Sequence, residues 1–362
     1  MPDKRFVIIT GAGASRRLGM AGDLPLMDEW ATILRRECNA IHPRLADAIG
    51  LGEGLWADQF EEVVGSLFAF SQNAMPLVGR FLHLGGPQPG DRDNHVTAWK
   101  SRTEERLGQI VEALRTTLFR EFGGKSIDQD KARDAYGWLL EPLGGKLASV
   151  VFATTNYDSA LEIGLAANGL STNDGFRSVY SVETPTLAPE GMVNWADRHG
   201  EQTPILHLHG AVGWYEAPDG RIVRHYSDQL YNPTLGVPAV LPPDPDKDPL
   251  ASAQVAAIWS EFERALEGAT HVLVLGHSLR DAPLARTILQ FAMNAQLGVT
   301  RHTSMGGPNE DHEDPEDGLQ DNRPDVTQEL LERATQIPLD FGPEPTSGPE
   351  YAQWTAWQRQ TP

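Results

Sequence analysis

Cysteine is nearly absent from this 362-residue sequence, occurring once, at Cys38. One cysteine closes no intrachain disulfide and cannot build a four-cysteine zinc site. Cys38 falls on the apolar side of an expected helix, where a thiol is buried and inert. Basic residues are also scarce: 30 Lys and Arg stand against 50 Asp and Glu, a formal net charge of −20. A surface of that sign repels phosphate backbones, which argues against direct nucleic-acid binding and for a solvated, soluble exterior. Long apolar runs are missing too, and none approaches the roughly 18 residues that cross a bilayer. The opening MPDKRFVIIT has only a short apolar run that leads straight into glycines, the pattern of a first strand rather than a signal peptide. These absences point to a cytoplasmic protein, and the length allows one large domain or two, with no internal repeat.

What is there alternates between strand and helix signals. Phe6 to Thr10 is a continuous apolar run, as in a strand buried on both faces, and it ends in Gly11-Ala12-Gly13-Ala14-Ser15. Met27 to Cys38 and the stretch around Phe60 to Phe68 carry helical spacing. The Gly- and Pro-rich 84–93 reads as a loop. Ser101 and Glu104 form a capping box for a helix whose stripe is Leu107, Ile110, Val111, Leu114 and Leu118, ended by Gly123. Residues from about 26 to 147 thus read as a helical insertion. The alternation then resumes with strands at Ser149–Thr154, Ile205–Leu208 and His271–Leu275. Helices are expected at Ser159–Ala167, Gln254–Leu266 (closed by Gly268) and Pro283–Gln296 (capped by Gly298), with a hairpin turn at Pro218-Asp219-Gly220. This is α/β patterning: a Rossmann-like, doubly wound parallel sheet with a large helical insertion. Past Arg301 the pattern stops. Asn309 to Asp317 is acidic and interrupted by proline, and only a short element around Ile337 to Trp357 follows.

Four polar segments sit at expected strand ends, where ligands bind in open α/β sheets. The glycine turn at 11–15 allows close approach of a pyrophosphate at a helix start, or is a tight turn with no ligand. Thr155-Asn156-Tyr157-Asp158 offers hydrogen bonds to a ribose, a water or a carboxamide, or else caps the next helix. His207 and His209 share a face if the strand continues, which suits a general base, a metal pair or hydrogen-bonded core histidines. In the segment Gly276 to Pro283, Ser278 suits a phosphate and Asp281 a ribose diol. Asp281 is equally natural as an N-cap ahead of Pro283.

This ordered set resembles the sirtuin superfamily, in particular bacterial sirtuin-like NAD⁺-consuming proteins of anti-phage defence. Gly11 to Ser15 resembles the family's cofactor loop, and Gly22-Asp23-Leu24-Pro25 the Gly-x-Pro stretch after it. Thr155 to Asp158 is similar to its Asn-x-Asp motif. Leu208-His209-Gly210 matches its catalytic His-Gly, and Gly276 to Asp281 its late Gly-x-Ser-Leu-x-Asp turn. The four-cysteine zinc module of the deacylases is not present, so the resemblance implies a zinc-free protein. Residues 1–300 are then the expected NAD-binding domain, and the acidic, proline-interrupted run makes 301–362 an acidic, partly disordered C-terminal segment.

The implied activity is NAD⁺ glycohydrolysis, with NAD as substrate. His209 is the expected general base, Asn156 orients the water or ribose hydroxyls, and Asp158 lies near the carboxamide or the positive ribose. Gly11, Ala12, Gly13, Ser15, Pro25, Thr155, Gly276, Ser278 and Asp281 line the nucleotide. The rival readings are an NAD or ADP-ribose sensor without turnover, and a metal-dependent hydrolase using the His-x-His pair. Because unregulated NAD⁺ cleavage is toxic, a homo-oligomer or a separately encoded regulator, an ATPase or a nucleic-acid-guided protein, is expected to control it.

Overall fold

The structure is a computed structural model. It describes residues 4–41, 45–48, 50, 51, 63, 109–110, 112–114, 116–123, 127–143, 149–177, 185–195, 202–217, 219–225, 237–240, 253–279, 281–300, 325–337 and 349–359. The capping box at Ser101 and Glu104, the 84–93 loop, most of the helix around Phe60 to Phe68 and the acidic stretch Asn309 to Asp317 lie outside these residues.

The first strand, β1 (Phe6–Thr10), is buried along its whole length, as its unbroken apolar run requires. It leads into a single helical turn, α1 (Ala12–Ser15), and a 3₁₀ turn at Arg16–Leu18. The insertion follows, with α2 (Met27–Ile41), α3 (Leu45–Ala48), helical residues at 116–122 and α4 (Gln129–Leu140). Asp128 caps α4 by accepting from the amides of Asp130 and Lys131. After it come β2 (Val150–Thr154), α5 (Ala160–Ala167), the short β3 (Thr172–Asn173), β4 (Phe176–Arg177) and β5 (Thr186–Leu187). Then follow β6 (Thr203–His207), β7 (Gly210–Glu216), β8 (Ile222–Arg224), β9 (Val237–Val240), α6 (Ala253–Gly268) and β10 (His271–Leu275). The chain continues through α7 (Ala282–Phe291), β11 (Gln296–Thr300), α8 (Asp325–Arg333), β12 (Thr335–Ile337) and α9 (Pro349–Arg359). No helix among the described residues is long and apolar enough to cross a membrane.

Seven strands form one parallel sheet in the order β12-β11-β10-β1-β2-β6-β3. The chain winds from β1 toward β2 and β6, then returns to the other side of β1 with β10 and β11. The switch point, where an open sheet leaves a crevice at its carboxyl edge, therefore lies between β1 and β10. Alternate residues supply two cores. Val7, Ile9, Val151, Leu206, Val272 and Val274 face α6, α7 and α8. Phe6, Ile8, Phe152, Ile205, Leu273 and Leu275 face α4, α5 and α9. Each such fully buried side chain contributes about 1.5–3 kcal/mol relative to exposure. A third cluster joins the helical insertion (Trp30, Leu34, Cys38, Leu114, Phe119, Phe122) to Tyr157 and to Val212 and Tyr215 of β7.

Two expectations are corrected, the Gly298 cap and the shared histidine face, and two others are refined. The helix from Pro283 stops at Phe291, and Gly298 is the middle of β11 rather than a cap. A Cβ at Gly298 would lie 2.6 Å from Ile337 and 2.9 Å from the Trp357 ring, so the glycine makes room for β12 and α9. β12 itself has three residues, too few for a strand signal, yet with α9 it places a strand and two buried tryptophans, Trp354 and Trp357, in the sheet and its core. The expected hairpin is real but belongs to a five-stranded antiparallel sheet, β4-β5-β8-β7-β9. Finally, β6 ends at His207, and Leu208 and His209 form a turn, so the shared strand face expected for the two histidines does not exist.

Candidate active site

The carboxyl edge at the switch point is knitted together by backbone. The amide of Gly11 donates to the Leu275 carbonyl at 2.9 Å and that of Gly13 to the Gly276 carbonyl at 2.8 Å. Gly276, at φ +60°, leaves no room for a side chain: a Cβ there would lie 2.3 Å from the Ala14 nitrogen. A Cβ on Gly11 would meet His277 at 2.7 Å. The glycines are thus explained first by the close approach of the loops after β1 and β10. Two amides expected to face a pyrophosphate are already engaged, and the single turn of α1 sums few peptide dipoles. Ala12 is exposed and Gly13 half-buried, so the outer rim of this turn carries no bulky side chain.

Beneath that turn the residues after β2 form a compact polar knot. The side-chain amide of Asn156 donates to the Gly11 carbonyl at 2.9 Å and to Ser15 Oγ at 2.8 Å. Ser15 Oγ in turn donates to Asp158 Oδ1 at 3.0 Å, which also accepts the Ala160 amide at 2.9 Å. All three residues are buried. Asn156 and Asp158 point to the same side, while Tyr157 between them roots in the insertion core, edge-on to Phe122. Thr155 ties the segment to β1 through its amide and the Thr10 carbonyl, 3.1 Å apart. Burial pushes the Asp158 carboxyl up to about 6, aided by the nearby Glu162, while the Ala160 amide, the Ser15 hydroxyl and His207 hold it down.

The two histidines part company. His207 is fully buried, its Nε2 2.6 Å from Oε1 of Glu162 on α5, and its ring lies edge-on to Trp214. Burial alone would raise the Glu162 carboxyl, yet His207 outweighs it and holds the group below the usual glutamate range. His209 turns the other way, with Nε2 2.9 Å from Oδ2 of Asp281 and both side chains about 5% exposed. Both are close contacts between an imidazole nitrogen and a carboxylate oxygen. Asp281 is at the same time the N-cap of α7, accepting from the Leu284 amide at 3.1 Å. No group of three or more His, Cys, Asp or Glu side chains suited to a metal is present among the described residues.

Sequence reasoning linked Asp281 to a ribose diol or a cap, and the structure makes it the cap and the neighbour of His209. Ser278 is exposed at the same turn. Pro25 is half-buried in the 19–26 loop, which Arg16 pins: its carbonyl accepts the Leu24 amide at 2.7 Å, and its guanidinium bridges Asp23 and Glu29. Glu29 and Glu162 went unnoticed in the sequence, since a lone glutamate on a helix carries no signal of its partner. A cavity of about 650 Å³ lies elsewhere, between α2 and residues 109–120, lined by Glu37, Ile41, Glu112 and Arg120, and none of the expected site residues lines it.

Residues 150–324 match the family described as SIR2-like domain. Solved structures that match include a Sir2 homologue in complex with NAD, at 14% identity over 82% of this chain and 77% of that one, with a TM-score of 0.38. A Sir2-homologue mutant in complex with 2′-O-acetyl ADP ribose matches at 15% identity over 82% and 79%, with a TM-score of 0.37. No curated protein matches this sequence.

Proposed function

We propose that this chain is a sirtuin-like NAD⁺ glycohydrolase that works without zinc. The observation that carries the reading is the knot of Asn156, Ser15 and Asp158 under the glycine turn, with His209 brought to the same edge of the sheet. The SIR2-like match over residues 150–324 supports it.

In this reading the bond from ribose C1′ to the nicotinamide nitrogen breaks, and its electron pair neutralises the pyridinium as nicotinamide leaves. A water oxygen adds to C1′, and its proton passes to His209, giving nicotinamide, ADP-ribose and one released proton. A well-placed base of this kind is worth about 10²–10⁴-fold. Both N–H groups of the Asn156 side chain are already donated, so Oδ1 is the atom that accepts from the water or a ribose hydroxyl. Asp158, when ionised, adds negative charge near the developing oxocarbenium. The expected roles of Gly11, Ala12, Gly13, Ser15, Pro25, Thr155, Gly276 and Ser278 reduce here to shaping the nucleotide site. The wider proposal is an oligomeric effector of antiviral defence, held in check by a separately encoded partner.

The test is incubation of purified protein with NAD⁺, with nicotinamide and ADP-ribose followed by chromatography, beside Asn156→Ala and His209→Ala. Release by the wild type, and loss in both variants, supports the reading. NAD⁺ that survives intact while raising the melting temperature would replace it with the sensor. Activity abolished by a chelator, with stoichiometric bound metal, would replace it with a metal-dependent hydrolase.

A further inference from the structure

We infer that Asp281 is the positioning residue of His209: its carboxylate sets the orientation and basicity of that imidazole, and its capping bond to α7 holds the carboxylate still. The inference rests on the proposed role of His209. Its physical basis is a division of labour within one side chain. Oδ1 of Asp281 accepts the Leu284 amide at 3.1 Å, which locks the carboxylate to the first turn of α7, while Oδ2 lies 2.9 Å from His209 Nε2. Both side chains are buried, where screening by water is weak and a charge so close biases the imidazole strongly. A carboxylate beside Nε2 favours the tautomer with its proton on Nε2, which places the lone pair that takes a proton on Nδ1. It also stabilises the imidazolium that forms once the proton arrives.

The surrounding turn is built to hold this arrangement. Leu279, two residues before Asp281, is buried and adopts φ +59°, a conformation that branched side chains rarely take. Its amide donates to His277 Nδ1 at 2.8 Å, and its carbonyl accepts Thr327 Oγ from α8 at 2.6 Å. Strain of this kind persists only where neighbours over-determine it. Here α8, from the far end of the chain, fixes the turn that delivers Asp281.

An N-cap and a positioning residue can be told apart by Asp281→Asn. Asparagine caps as well as aspartate, so Oδ1 still accepts from Leu284, but the charge beside His209 is gone. Asp281→Ser, another good cap with a shorter reach, is the second variant should asparagine fold poorly. The first readout is the titration of the His209 ring by NMR in nucleotide-free protein, with His209→Gln to assign the signal. The second is NAD⁺ hydrolysis across pH. We expect unchanged melting temperatures, a His209 midpoint moved to lower pH in both variants, and a fall in kcat of about 100-fold with KM little changed. A His209 midpoint that is the same in wild type, Asn and Ser variants overturns the inference, because a mere cap would behave so. A shifted midpoint in a protein that never cleaves NAD⁺ upholds the pairing and defeats the proposed reaction instead.

Discussion

His207 and His209 are two residues apart, and each has a carboxylate oxygen close to its Nε2, at 2.6 and 2.9 Å, yet they serve different regions. His207 closes β6 and looks toward α5, where Glu162 and the Trp214 ring bury it completely. His209 sits one turn later, outside the ladder, and looks toward the start of α7, at the switch point of the sheet. Position relative to the end of the strand decides the difference. Inside the ladder a side chain must follow the pleat to one face of the sheet, and Ile205 and His207 do so. Beyond it the backbone is free to turn, and Gly210, at φ +74°, then redirects the chain into the second sheet. On the proposed reading, the histidine in the ladder is structural and the one in the turn serves the chemistry.

Substitution sharpens that contrast. His209→Ala should lower NAD⁺ hydrolysis per folded molecule by about 10²–10⁴-fold, beyond any stability it costs by leaving the buried Asp281 carboxylate without the imidazole. His207→Ala should leave catalysis per folded molecule intact, while stability falls by about 1–3 kcal/mol because Glu162 keeps its partly buried charge without its nearest partner. Equal loss of activity in both would break the comparison.

The two carboxylates beneath the site give a second handle, in pH, with opposite signs. Asp158 is raised to about 6, so its protonated form is the one that folding favours. Its contribution to stability is full below about pH 4 and is lost as pH rises through about 6. Asp158→Asn keeps the acceptor for Ser15 and Ala160 and removes that loss, so it should raise stability by up to about 2–3 kcal/mol at pH 8 and by almost nothing at pH 4. Thermal melts across that range measure it, and a constant difference would refute the assignment. Glu162 is lowered by His207, so its contribution is present above the usual glutamate range and fades as pH falls into acid. In His207→Ala that acid-side loss should disappear. The smallest effect is expected at Thr327→Val, which removes the donor to the Leu279 carbonyl. A cost of about 1 kcal/mol in stability should come with a measurable drop in kcat, which separates a clamp on the turn from a remote surface bond.

Much of this was legible because parallel strands buried on both faces announce themselves. Phe6 to Thr10 and His271 to Leu275 are uniform apolar runs, and the structure keeps both boundaries. Asn156, Asp158, Ser15 and Gly11 were named from the motifs and do meet. What stayed hidden was short or indirect. β12 has three residues, and β11 carries Gly298 in its middle, so neither shows a period. The partner of a histidine is not written beside it: Glu162 lies 45 positions before His207, and Asp281 lies 72 after His209.

The sequence by itself determined that strands alternate with helices, that polar residues gather at strand ends, and that no four-cysteine metal site exists, since periodicity, turn chemistry and residue counts are local properties. Only the tertiary structure decided which carboxylate meets which histidine, and that two glycine amides face the neighbouring loop. Those outcomes depend on the order in which strands pair, and strand order brings together side chains that sequence separation cannot relate.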